Sequence, residues 1–399
     1  MPNKVAITGM GIISSIGNNV EENFHALIHG ATGISKTDYL KTIHKDTLKF
    51  GEIKLSNQEL ESKLGLPTNH RFPRTSLLGA YAAAQAVESA GIKIINEVPT
   101  GLISSTSVGG MDKTEEYFYE YFENEAIRRF ILSHDAGETS HQIAEYLGIK
   151  GFVTTISTAC SSAANAIMMG ARLIKAGKLE RVIVGGADAL SIFTINGFNS
   201  LMILTDDVNT PFDDNRKGLN LGEAAAYIVL ESESQVKNNN KKVLAYLSGY
   251  GNANDAFHQT ASSENGEGAT LAMKKAFEVS GLELTDIDYI NAHGTATPNN
   301  DLSEGRAIQN VFGKNVPVFS STKPFTGHTL AAAASVEAVY SILALKHDMV
   351  FPNKNFKTPM KEFDLIPQTS LLEKPVHHVL SNSFGFGGNC STLIFSKSL

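Results

Sequence analysis

Apolar runs of strand length alternate with amphipathic helical patterns along nearly all of the 399 residues, and that alternation leaves few folds open. The strand-like runs are Lys4–Thr8, Gly101–Ser105, Arg181–Gly185, Ala225–Leu230, Val243–Gly251, Ile287–Ala292, Val316–Ser320 and Val376–Asn382. Helical periodicity marks Thr75–Ala90, Ser161–Ala176, Ala269–Ser280 and Leu330–Lys346, and Gly91, Gly177, Gly281 and Gly313 supply closing turns. The pattern predicts a layered α/β protein with mixed sheets and helices on their faces. The polar run Gln235–Lys242, with three consecutive asparagines, is the one low-complexity seam. It predicts two comparable halves, residues 1–239 and 240–399, although no sequence repeat relates them.

Composition removes several function classes. A net charge of −7 does not suit a protein that tracks nucleic-acid phosphates. Two cysteines in so long a chain build no disulfide framework, which predicts a reducing cytoplasm. The start, MPNKVAITGMGIISSIG, reads as a strand entering a tight glycine turn and not as an export signal. Gly9-Met10-Gly11 lacks the third glycine and the helix start of a dinucleotide site. The most membrane-like stretch, Thr329 to Leu345, carries Glu337 and is shorter than the ~20 residues of a spanning helix, so it predicts a buried, tightly packed helix.

Thr158-Ala159-Cys160-Ser161-Ser162-Ala163 lies where the apolar run Phe152–Ile156 gives way to a helix whose Ala163, Ala164, Ile167, Ala171 and Ile174 form a core-facing stripe. A cysteine at a helix start meets unpaired N–H groups and the positive end of the helix dipole, which favour the thiolate. The same amides can hold the oxygen of an attacked thioester. The plain alternative is a buried thiol acting as a small hydrophobe. His293 and His328 each follow a strand at a turn of small residues, Gly294-Thr295-Ala296-Thr297-Pro298 after the first and Thr322-Lys323-Pro324-Phe325-Thr326-Gly327 before the second. Strand ends are where α/β folds gather functional groups. His377 and His378 have no such turn and read as structural. No helical histidine pair or thiolate cluster suggests zinc. Ser381-Asn382-Ser383-Phe384-Gly385-Phe386-Gly387-Gly388 reads as a strand and a glycine loop that approaches other groups closely, or as a simple hairpin.

Taken together, in this order and spacing, these motifs resemble the elongating (type I/II) β-ketoacyl-carrier-protein synthases of the thiolase superfamily, from Val5 to Phe395. Val184-Gly185-Gly186-Ala187-Asp188-Ala189, Pro211-Phe212-Asp213, Arg216 and Gly222-Glu223 add to the resemblance. It implies a thiolase-like α-β-α-β-α fold and an acyltransferase with a decarboxylating Claisen condensation, in fatty-acid or polyketide/polyene chain elongation. It implies Cys160 as nucleophile, His293 and His328 as donors to an enolate oxygen, and Lys323, linked to Glu304 in the Asp301-x-x-Glu304 segment, as the group that tunes them. The N–H groups of Cys160 and Phe386 would form a second oxyanion hole, with Phe386 as gate. Thr295, Thr297, Val108 and Phe384 would meet the pantetheine arm or acyl chain. Asn291, Glu337, Ser381 and Asn382 match positions that can hold a monovalent cation. The resemblance implies no cofactor beyond the phosphopantetheine arm of an acyl carrier protein. It also implies a homodimer, paired through Thr154–Ser157.

Three departures mark a divergent branch. Alanines stand at 331 and 334 where the family has glycines, Asn389-Cys390 replaces Thr-Asn after the glycine loop, and Ser157 replaces an acid. A biosynthetic thiolase would use a second cysteine, for which Cys390 is the candidate, but lacks the His293/His328/Lys323 set. The chain-starting synthases have Asn where His328 stands. A non-catalytic partner subunit would have lost Cys160. For docking an acidic carrier, Arg71, Arg74, Arg128 and Arg129 are the clustered basic residues.

Overall fold

The computed structural model describes residues 4–398. Ten strands join in one sheet: β1 (Val5–Ser14), β2 (Thr100–Ser105), β3 (Val153–Ile156), β4 (Arg181–Asp188), β5 (Ala224–Ser232), β6 (Ala245–Asn254), β7 (Tyr289–Asn291), β8 (Val318–Ser320), β9 (His378–Phe384) and β10 (Asn389–Ser396). Their order is β8-β7-β9-β10-β6-β1-β5-β4-β2-β3. Counted outward from the centre, each half therefore runs first, fifth, fourth, second, third in its own chain order. The pairings match as well: the two inner contacts of each half are antiparallel and the two outer ones parallel. The halves meet where β1 and β6 pair antiparallel, through Ala6–Tyr246 and Ile7–Ala245. The chain crosses between them at the short helix Glu233–Asn238 and the asparagines that follow.

Alternation along the strands sorts side chains into layers. On β5, Ala224, Ala226, Ile228 and Leu230 enter a central core, while Ala225, Tyr227 and Val229 enter an outer one. On the other half, Val379, Leu393 and Phe395 face the central core, and Leu380 and Ile394 face the opposite outer core. Helices Ser162–Lys175 and Ala333–His347 fill the centre, Arg74–Ser89 covers one outside, and Glu267–Ser280 covers the other. The result is five layers, α-β-α-β-α. Among the described residues one helix, 330–347, is long and apolar enough to cross a membrane, but 89% of it is buried inside the protein. A helix apolar on every side suits a position between the two halves of the sheet.

One local expectation fails. Gly9-Met10-Gly11 makes no turn, because β1 runs unbroken to Ser14. The helix Arg74–Ser89 lies so close that a Cβ on Gly9 would stand 2.3 Å from the Ala86 carbonyl oxygen, and one on Gly11 2.2 Å from that of Ala82. The glycines serve strand–helix contact.

Candidate active site

Cys160 sits in the connection from β3 to the helix Ser162–Lys175, two residues before its first turn. Ala159 takes a left-handed backbone, φ 52°, which raises the next residue out of the turn. Ser162 Oγ accepts the Thr158 N–H at 2.8 Å, and the Ser162 N–H donates to Ala159 O. The side chain is buried, 6% exposed. Burial pushes the thiol up to about 11, against the opposing pull of the Lys323 charge and of the Phe386 and Cys160 N–H groups. The helix start therefore does not by itself produce a resting thiolate, because desolvation outweighs it.

His328 brings Nε2 to 3.0 Å from the Cys160 sulfur. Its Nδ1 accepts the Leu330 N–H at 3.1 Å, and its backbone N–H donates to the Asn220 carbonyl oxygen. His293 stands edge-on to it, the ring centroids 5.4 Å apart, with Nδ1 3.2 Å from Lys323 Nζ. Burial, then the Lys323 charge, hold both imidazoles well below the usual histidine range, so both are neutral. A neutral ring whose Nδ1 accepts carries its proton on Nε2. Both rings then carry Nε2–H, and a nitrogen of each lies within 4.8 Å of the sulfur.

The acid paired with Lys323 is Glu337, not Glu304. Glu304 instead accepts the backbone N–H groups of His293 at 2.9 Å and Gly294 at 2.8 Å, and burial raises it to about 7. Asp301 does similar work, accepting from Ala296 and Phe212. Glu337 lies on the central helix Ala333–His347, which carries it under Lys323. Its carboxylate accepts from Ser383 as well. Asn382 is bonded to Glu304 and Thr392, and Asn291 donates to the Glu337 backbone carbonyl, with Ser381 next to Asn382 on β9. Glu337, the one carboxylate of this expected cation set, faces the Lys323 ammonium. Cys160, His293 and His328 place ligand atoms within 4.8 Å of one another, but the Lys323 ammonium beside them disfavours a metal there.

Two cavities meet at the sulfur. One, about 280 Å³, is lined by His293, Thr295, Thr297, His328 and Phe384. The other, about 290 Å³, is lined by Ser107, Val108, Phe193 and Leu330. Phe386 and Phe198 border both, their rings stacked with centroids 5.8 Å apart. The Phe386 N–H is directed at the sulfur. Sequence reasoning missed Phe198 and Phe193; the signal was the apolar helix Ile192–Ser200, whose residues stay largely outside the core. It also left Asp188 without a role. That buried carboxylate accepts from Ser107 and from Ala331, joining the Val108 loop to the turn after His328.

Other candidates fall away from the site. Cys390 is buried on β10, lines neither cavity, and burial raises its thiol to about 12, so it is no second catalytic thiol. Arg74 is buried, with Nη2 2.6 Å from Glu223, and cannot dock a carrier. Arg128 folds back onto the Tyr121 and Phe122 carbonyls, Arg129 stacks on Phe130, and Arg71 pairs with Glu138.

Comparison with known proteins places the chain in a family. Residues 2–236 match the family described as "Beta-ketoacyl synthase, N-terminal domain", and residues 244–357 match its C-terminal domain. The chain is 34% identical to the 3-oxoacyl-[acyl-carrier-protein] synthase 2 of Staphylococcus aureus, with 99% of this chain and 98% of that one covered. It is 32% identical to the protein of the same name from Vibrio cholerae, with 99% of each covered. Among solved structures it resembles the ishigamide ketosynthase/chain length factor, with TM-score 0.91, 28% identity and 99% of each chain covered. It also resembles a chain of the complex between the ketosynthase ApeO and its chain length factor ApeC from Xenorhabdus doucetiae, with TM-score 0.87, 31% identity and 99% and 98% covered. With both family domains matched over most of the chain and full-length relatives at 34% and 32% identity, the chain belongs to the β-ketoacyl synthase family of thiolase-fold condensing acyltransferases.

Proposed function

We propose that this chain is a 3-oxoacyl-[acyl-carrier-protein] synthase acting in fatty-acid or polyketide/polyene-type elongation. The observation that carries the reading is the pair of Nε2–H donors, on His293 and His328, beside the Cys160 sulfur.

In the first step Cys160 sulfur attacks the acyl thioester of a carrier's phosphopantetheine arm. The new C–S bond forms, the old one breaks, and the cysteine proton ends on the departing carrier thiol. The Cys160 and Phe386 N–H groups hold the transient oxyanion. In the second step malonyl carrier loses CO₂, and the electron pair of the broken C–C bond moves into an enolate. Its oxygen is held by the two imidazoles, each such donor worth ~3 kcal/mol of barrier. The enolate carbon then attacks the Cys160 thioester, and the cysteine leaves as thiolate and takes a proton from solvent. Thr295 and Thr297, hydroxyls 2.9 Å apart in the cavity holding both histidines, would meet the arm. The reaction needs no cofactor beyond that arm.

The expected setting is the cytoplasm, and the expected assembly is a homodimer paired through β3. Among the described residues β3 pairs with β2 alone, which leaves its outer edge open. The likeness to a chain of the ApeO–ApeC complex supports a second reading in which a related chain takes that edge.

The test supplies acyl carriers of graded length with malonyl carrier and follows products by mass spectrometry. A 3-oxoacyl product two carbons longer is expected, with a Cys160 acyl adduct before malonyl addition. Absence of both would overturn the reading. Light scattering at micromolar protein, expected at twice the 42.9 kDa chain mass, tests the homodimer.

A further inference from the structure

We propose that Asn389 is a positioning residue for acyl transfer, its side-chain carbonyl tying the Cys160 turn to the loop that carries the Phe386 N–H. The proposal rests on the synthase reading above.

Asn389 is the residue directly after the glycine loop, and its backbone carbonyl accepts the Gly385 N–H at 2.9 Å, closing that loop. Its Oδ1 accepts from three elements at once: Ser161 Oγ at 2.8 Å, Asn165 Nδ2 at 2.8 Å and Asn252 Nδ2 at 2.9 Å. Ser161 follows the nucleophile, Asn165 lies one turn into its helix, and Asn252 belongs to β6. Asn165 also donates to Thr158 Oγ1 at 2.8 Å, so the same amide holds the start of the turn. Gly385 packs against that start, where a Cβ would meet the Thr158 carbonyl oxygen at 2.6 Å. Loop and turn are therefore joined at two points, one steric and one through hydrogen bonds.

The joint matters because the oxyanion hole has one N–H from each side, that of Cys160 and that of Phe386. Nothing in either segment alone sets their separation. A shared acceptor does so, and it holds the hole in shape before a thioester enters. A shift of about 1 Å in such geometry can cost ~10²-fold in rate.

The experiment compares two near-isosteric variants. Asn389→Leu keeps the size and removes the acceptor, and Asn389→Asp keeps the acceptor. Single-turnover acylation of Cys160 by acyl carrier should slow about tenfold or more in the leucine variant, with little change in carrier KM. The aspartate variant should stay within about threefold of wild type. Wild-type acylation by the leucine variant, or an aspartate variant as slow as the leucine one, would overturn the proposal. If the leucine variant does not fold, Asn165→Leu removes the amide that joins Asn389 to Thr158, and an unchanged acylation rate there would overturn it equally. A wild-type protein that is never acylated would sink the synthase reading itself, and this assignment with it.

Discussion

The Leu330 N–H donates to Nδ1 of His328, and this single bond decides what His328 can do. With Nδ1 accepting, the neutral ring carries its proton on Nε2, 3.0 Å from the Cys160 sulfur. His328 is then a donor to sulfur or to a substrate oxygen, and is poorly placed to deprotonate the thiol. Lys323 sets the same tautomer on His293.

The two histidines should therefore be separable from the cysteine. Cys160→Ala should abolish acyl transfer. His293→Ala or His328→Ala should each lower malonyl decarboxylation ~10²–10³-fold, while Cys160 still accepts some acyl group. Radiolabelled CO₂ release and intact-protein mass read the two steps. Near wild-type decarboxylation in both variants would contradict the paired-donor geometry.

Alkylation kinetics should report the raised thiol. Burial moves Cys160 from its ordinary 9.0 up to about 11, so iodoacetamide modification should keep rising above pH 9 and level off only near 11. A plateau below pH 8 would show a thiolate at rest. The same shift has a sign for stability. The folded thiol holds its proton more tightly than the unfolded one, so its contribution is fully present below pH 9 and is lost as pH rises through about 11.

Val108 borders the 290 Å³ cavity on the side of the sulfur away from the two histidines. Each methylene buried there gains up to ~0.8 kcal/mol. Val108→Phe should block that space and cost long acyl chains far more than acetyl or butyryl groups. Cys160 acylation measured across chain lengths decides it; an equal loss at every length would mean damaged packing.

Arg74→Met should lower stability and leave carrier affinity untouched. The guanidinium meets Glu223 through Nε and Nη2 and also bonds the Ile53 and Leu55 carbonyls. Removing it leaves a buried carboxylate uncompensated, at a cost of about 3–5 kcal/mol. Thermal melting and carrier KM together test this; a raised KM with unchanged Tm would return Arg74 to the docking surface.

Much of this protein was legible before its fold. The order of strands and helices follows from apolar periodicity, which is local. Cys160, His293 and His328 stand out because each follows a strand at a run of small residues. The two halves were legible from the Gln235–Lys242 seam and the family resemblance but not as a repeat, since they share strand order and pairing sense without sharing residues. Gly9 and Gly11 read as a turn because their helix partner, at Ala82 and Ala86, is distant in the chain.

By itself the sequence determined which groups are present and in what order: one thiol at a helix start, two imidazoles, one lysine and a glycine loop. Only the tertiary structure decided their states. It chose Glu337 over Glu304 as the partner of Lys323, because the central helix delivers that carboxylate from another layer. It also raised the thiol and neutralised both histidines, since desolvation depends on which atoms surround a group in space and no local pattern encodes it.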